Sequence, residues 1–218
     1  MHATREGAYG LAVRLLAVIV WRKKMSGMNG TNALTKRLMI AVVGGPLFLL
    51  ALATPAAAQE AEWGLGPVFA DFGPHVAVEG VEPFAGHIEL SHSFDVADRS
   101  EDRRNRGFES AARFVNMHAA NGVDPVNIRV AVVVHGVAVL DLLTDEALAA
   151  RDGEEGPNVS GDMVREMLAK GVRFIVCGQS AAGQGVSREH LISGVEMALS
   201  AMTAHALLQQ QGYTVNPF

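Results

Sequence analysis

Two residues stand where apolar runs of the chain stop. Cys177 ends the run Val172 to Val176 and is followed at once by Gly178, Gln179 and Ser180, while His135 ends the run Ile128 to Val134 and is followed by Gly136. A thiol attacks as its thiolate, and backbone N–H groups gathered around the sulfur favour that anion. Amides of Gly178, Gln179 and Ser180 are candidates for such a concavity, able to hold a persulfide or an oxyanion beside the sulfur. His135 is the candidate for assisting proton transfer. A plainer reading stands beside this one, because a cysteine closing an apolar strand also fits a small buried hydrophobe. His135 equally fits a hydrogen-bonded strand end. Neither a nucleophile elbow nor a Cys-first helix motif accompanies the pair.

Other constellations carry less. Cys177 is the single cysteine, which excludes an intramolecular disulfide and every cysteine-cluster metal site. His87 and His92 lie five apart on an expected strand, hence on opposite faces, and make a poor metal pair. Gly183-Gln184-Gly185 lacks the lysine of a phosphate loop and does not match the dinucleotide fingerprint. Glu154-Glu155 reads as solvated loop charge. Met163, Met167, Met197 and Met202 fit core packing better than a soft-metal site, which would group methionines more tightly. The expectation is a site with no metal and no cofactor.

The elements that must position Cys177 and His135 follow from periodicity. Alternation of Ile88, Leu90, Phe94 and Val96 predicts a strand near 87–96. Asp98 to Glu101 offers capping chemistry, and Phe108, Ala112, Val115 and Ala119 recur at helical spacing, so a helix is expected over about 101–120. The β-branched run 128–134 predicts a central strand buried on both faces. Leu140, Leu142 and Leu143 suggest a short helix, and an acidic loop follows from Arg151 to Gly161. Ser160 is then expected to cap a helix with Met163, Val164, Met167 and Leu168 on one face, stopped at Gly171. Val172 to Val176 is the next buried strand. Gly194 to Ala198 reads either as a short strand or as the start of the helix carrying Leu199, Met202 and Ala206, and Tyr213 to Val215 as a last strand. Buried strands alternating with helices mean an α/β fold, a parallel sheet covered on both sides. The working crevice of such a sheet lies at the carboxyl ends of its strands, which places His135 and Cys177 on one rim.

Of the 218 residues 49% are hydrophobic and 19% charged, a globular composition, and the formal net charge is −5. With no long basic run beyond the first 37 residues, binding to nucleic acid is disfavoured. Lys36-Arg37, the apolar stretch Leu38 to Ala53 and the small residues Ala56 and Ala58 are the parts of a secretory signal cleaved after Ala58. The 16 residues of that stretch, broken by Gly44-Gly45-Pro46, fall short of the roughly 20 that a spanning helix needs. A start at Met25 or Met28 fits the usual signal length better than Met1 and would leave Leu11 to Trp21 untranslated. Residues 59–218 then hold 11 Lys and Arg against 22 Asp and Glu, a charge of −11. The expected product is an acidic, exported or periplasmic domain with no membrane insertion after cleavage. Within it, 59–86 reads as an irregular Gly- and Pro-rich arm and 87–218 as the α/β domain.

Four segments in order resemble one family: Ala112 to Ala119, Val130 to Gly136, Val176 to Ser180, and Ala198 to Ala204 with Gln211-Gly212-Tyr213. Together they are similar to the DsrE/DsrF-like proteins of sulfur metabolism over about residues 87–218. That resemblance implies a three-layer α/β/α domain on a mainly parallel five-stranded sheet, with Gly194 to Ala198 as a strand, assembled as a homo-oligomer. It further implies that Cys177 accepts sulfane sulfur as a persulfide and passes it to a donor or acceptor protein, with His135, Gly136, Gly178, Gln179 and Ser180 at motif positions. The alternative is a non-catalytic small-ligand-binding or assembly module whose cysteine is inert. One departure is the export signal, since family relays work among reduced cytoplasmic thiols.

Overall fold

A computed structural model describes residues 61–100, 102–152, 154 and 156–216. The segment read as an export signal with cleavage after Ala58, the starts at Met25 and Met28, the stretch Leu11 to Trp21, and Glu155 lie outside them. Among the described residues no helix is long and apolar enough to cross a membrane.

Five strands form one all-parallel sheet: β1 (Leu90–Val96), β2 (Ile128–Val134), β3 (Arg173–Cys177), β4 (Glu196–Ala198) and β5 (Thr214–Asn216), in the order β4-β3-β2-β1-β5. The β-branched run takes the centre as β2, where both faces of a strand are covered and such side chains pack best. Its last five residues are buried without a break. Helices α1 (Arg106–Ala120), α2 (Asp145–Ala149), α3 (Gly161–Ala169), α4 (Gly178–Gly183) and α5 (Ala201–Gln210) lie between the strands. Helices thus flank the sheet in three α/β/α layers.

Strand order explains the layering. From β1 to β4 the chain steps toward one edge, so right-handed crossovers keep their connections on one face. The return from β4 to β5 reverses direction and carries α5 over the other. Even-numbered Phe94, Val96, Val130, Val132, Val134, Phe174 and Val176 join the larger core with α1 and α3. Odd-numbered Ala131, Val133 and Ile175 meet Ala204 and Leu208 of α5.

Two expected caps are placed differently. The first helix starts at Arg106, and its cap is Asn105, whose Oδ1 accepts from the Gly107 and Phe108 N–H groups at 2.9 and 3.4 Å. Asn105 suits the role because its amide nitrogen is itself anchored, donating to Asp98 O at 2.8 Å and Asp141 Oδ2 at 2.7 Å. Ser160 does precede α3, but its hydroxyl makes no capping bond there. Instead Ser160 Oγ accepts from the Asn105 N–H at 2.9 Å, tying the two helix starts together. The Leu140 region forms a 3₁₀ segment, Gly136–Leu142.

Residues 61–86 are irregular and mostly exposed, but the stretch around Phe69 to Gly73 is anchored in the core. Phe69 and Phe72 are buried in the larger core, and the buried Asn116 of α1 binds their backbone. Its Oδ1 accepts from the Val68 and Phe69 N–H groups, and its Nδ2 donates toward the carbonyls of Phe69, Phe72 and Gly73. Side-chain amides thus replace the ladder partners that an irregular buried backbone lacks.

Candidate functional site

Side chains alternate along a strand, so residues two apart share a face. Asp95, His135 and Cys177 are all odd-numbered, near or just past the carboxyl ends of the three adjacent strands β1, β2 and β3. Register pairs Val134 with Val176 and Asp95 with Val133, which brings the three to one rim on the α5 side. Here lies the switch point of the sheet. The chain leaves β3 directly into α4, whose Ala181 is buried in the larger core, whereas it leaves β4 into α5 on the opposite face. A crevice opens where neighbouring connections part in this way.

The crevice is an open cleft of about 540 Å³, lined by Asp95, His135, Cys177, Gln179, Ser180 and, from α5, Ala201 and His205 among others. Cys177 lies low in it and is only 5% exposed. Burial pushes the thiol up, but hydrogen bonds from the Ser180 hydroxyl and from the N–H groups of Ser180, Ala201 and Gln179 outweigh it, and the thiol lies below its ordinary value. These donors therefore raise the thiolate fraction of a nearly buried sulfur. Ser180 is oriented for its part: its Oγ accepts from the Gly136 N–H at 3.1 Å, which leaves the hydroxyl hydrogen for the sulfur.

Each residue singled out from sequence has a definite place. Cys177, His135, Gln179 and Ser180 line the cleft together. Gly136 supports it from the side, with φ of +56° and its carbonyl accepting from Gln184 Nε2. Gly178 supplies none of the donors around the sulfur. Its need for glycine is space and not conformational freedom, since a Cβ would stand 2.6 Å from the Ala198 carbonyl oxygen at the end of β4. His92 is engaged elsewhere, with Nδ1 2.6 Å from Thr214 Oγ1 and its ring stacked on Phe114. Among the described residues no group of three or more His, Cys, Asp or Glu side chains is placed to hold a metal ion.

Three members of the site escaped the sequence reading: Asp95, His205 and the amide of Ala201. Asp95 receives two imidazoles, with His135 Nε2 3.1 Å from Oδ2 and His205 Nε2 2.8 Å from Oδ1. Burial raises the Asp95 carboxyl, but hydrogen bonds from His205 and His135 and their charges hold it below the usual carboxylate range. An ionised carboxylate only accepts, so both Nε2 atoms carry hydrogen. Asp95 left a trace in the sequence, as an acid inside a strand between Phe94 and Val96, where acids are depleted. His205 left another. It falls one turn after Ala201, on the same side of a helix whose Ser200 cap accepts from the Thr203 N–H at 3.0 Å.

Comparison with known proteins agrees with the sequence resemblance. A family model described as the DsrE/DsrF-like family matches residues 93–217, which include every strand-end residue of the cleft and exclude the arm. No curated protein matches the chain. Among solved structures, a protein of unknown function from Methanobacterium thermoautotrophicum is 22% identical, covering 60% of this chain and 100% of its own with a TM-score of 0.45. The ychN protein from E. coli is 19% identical, covering 59% of this chain and 100% of its own with a TM-score of 0.38. The match of the family model over more than half of the sequence, through all five strands, means that this chain belongs to the DsrE/DsrF-like family.

Proposed function

We propose that the protein accepts sulfane sulfur on Cys177 and hands it to a second thiol. Family membership fits a sulfur-relay role, and the observation that carries the finer reading is the sulfur's surroundings. The Ser180 hydroxyl and the amides of Ser180, Ala201 and Gln179 act on a thiol that lines an open cleft and hold it below its ordinary value against the effect of burial. In the loading step the Cys177 thiolate attacks the outer sulfur of a polysulfide or persulfide. A bond forms from Sγ to that sulfur, the donor's S–S bond breaks, and its electron pair leaves with the shortened donor. No external oxidant enters. Unloading is the same exchange with the acceptor's thiolate attacking the carried sulfur.

Mass spectrometry of the purified protein after exposure to polysulfide tests this reading. One added sulfur on wild type and none on Cys177→Ser is the expected result; an unmodified wild type, or equal labelling of both, would overturn it. The low exposure of Cys177 favours a second reading, in which the thiol is inert core and the domain binds or assembles without transferring sulfur. A thiol-reagent titration separates the two, because an inert thiol reacts only after denaturation.

The same proposal places the protein outside the cytoplasm, on the strength of the signal-like segment ending at Ala58, and as a homo-oligomer, as the family resemblance implies. Exported protein whose amino terminus is Gln59 is the expected product. An unprocessed amino terminus would remove the compartment from the proposal and leave the sulfur chemistry in place.

A further inference from the structure

The donors around Cys177 assist its ionisation, so the attacking group already has help from the backbone and Ser180. A thiolate that breaks an S–S bond has a different need, a leaving sulfur that can carry away the electron pair. Exchange is fastest when the leaving thiol is acidic, and it slows as that thiol becomes more basic. A proton delivered to the departing sulfur removes this handicap.

The cleft holds a group suited to that delivery. Four imidazole nitrogens belong to the two histidines that line it. The Nε2 atoms of His135 and His205 are both committed to Asp95, and His205 Nδ1 is 3.4 Å from Ser93 Oγ. Only Nδ1 of His135 has no hydrogen-bond partner among the described residues. Its ring is 31% exposed and stands just past the end of β2, the strand next to the one that ends in Cys177. The geometry points to His135 as the acid that protonates the leaving sulfur, with Asp95 and His205 as positioning residues, an inference that rests on Cys177 being the attacking thiolate.

The step balances as follows. Sγ of Cys177 bonds to the transferred outer sulfur, the donor's S–S bond breaks, and its pair stays on the sulfur that remains with the shortened donor. The Nδ1 proton of His135 in its cationic form moves to that sulfur, directly or through one solvent molecule. His135 is left neutral with its Nε2–H still on Asp95, and its next proton comes from water. Asp95 makes this exchange one-ended, since a carboxylate can only accept and so keeps the hydrogen on Nε2. His205 occupies the other carboxylate oxygen and holds the plane of Asp95 in place.

Two disulfide probes test the assignment on the full chain, an aromatic nitrobenzoate disulfide whose leaving thiolate is weakly basic and hydroxyethyl disulfide whose leaving thiolate is strongly basic. With the aromatic probe, His135→Gln and Asp95→Asn are expected to react within about twofold of wild type, because that leaving group needs no proton. With the alkyl probe both variants are expected to be about tenfold slower or more, and Asp95→Glu to recover part of that loss. Slowing by one common factor with both probes, or an unchanged rate with the alkyl probe, would overturn the assignment. A wild-type Cys177 that reacts with neither probe would overturn the carrier reading together with it, whereas a reactive Cys177 with probe-independent variants overturns the acid alone.

Discussion

The two faces of the sheet are built from the same strands and differ in nearly everything else. On one, the even-numbered side chains of β1, β2 and β3 meet α1, α3 and the buried rings of Phe69 and Phe72, and the core is continuous. On the other, the small group of Ala131, Val133 and Ile175 lies under α5, and the rim above it carries Asp95, His135 and Cys177. Stability is concentrated where apolar area is large. The cleft lies where a single helix leaves part of the sheet's rim open.

Truncating the core on each face is the bluntest way to test that division. Phe174→Ala, on the thick side, is expected to lower the unfolding free energy by about 3–5 kcal/mol, and Leu208→Ala, in the smaller buried cluster under α5, by about 2 kcal/mol, the low end for such a truncation because fewer and smaller side chains surround it. Urea unfolding measures both, and equal losses would erase the contrast.

Carboxylates divide the same way. Asp141 is 2% exposed, and burial raises its carboxyl although hydrogen bonds from Asn105 and Arg99 pull it down. Asp95, with both histidines beside it, is shifted the opposite way. Arg99 Nε donates to Asp141 Oδ1 at 3.0 Å, and its other nitrogens donate to Glu154. Arg99→Ala strands a buried charge and is expected to cost about 3 kcal/mol at neutral pH. Because the folded Asp141 carboxyl is raised, protonation favours the folded state, so part of that loss should return as the pH is lowered. An unfolding series from neutral to mildly acidic pH checks the sign.

On the open face the effects are smaller and chemical. Ser180→Ala removes one donor from the sulfur, so the thiol should rise and the fraction ionised at a given pH should fall. Alkylation of Cys177 below its thiol midpoint is expected to slow by about tenfold, the equivalent of one charge-assisted hydrogen bond, with little change at high pH. A pH profile that does not move would separate Ser180 from the thiolate. Smallest is Asp95 itself. Its folded carboxyl is lowered, so its contribution is complete above the ordinary value and is lost as the pH falls through the lowered one. With the side chain 35% exposed, solvent screening keeps that contribution below about 1 kcal/mol. Asp95→Asn should therefore flatten the acid limb of the stability curve only slightly while changing reactivity more.

Much of this arrangement is legible along the chain, and the limits have physical causes. The β2 run and the Val172 to Val176 run announce their strands because a strand covered on both faces must be apolar throughout. Cys177 and His135 mark their own positions by ending those runs. The cap at Asn105 was not legible, because its worth comes from Asp98 and Asp141, one of them 36 residues away. Nor was the burial of Phe69 and Phe72, which depends on Asn116 satisfying an irregular backbone from 43 to 48 residues away. Nor was the need for glycine at 178, which the approach of β4 creates.

Order along the chain thus determined the fold class, the strand ends and the position of the single thiol, since periodicity and burial are properties of neighbours in sequence. Tertiary structure alone decided that α5 crosses to the far face, that Ala201 turns an amide toward Cys177, and that one carboxylate holds two imidazoles from β2 and α5. Those pairings join residues as many as 110 apart. No local pattern encodes them, because the reversal of strand order at β4 brings them together only once the sheet has closed.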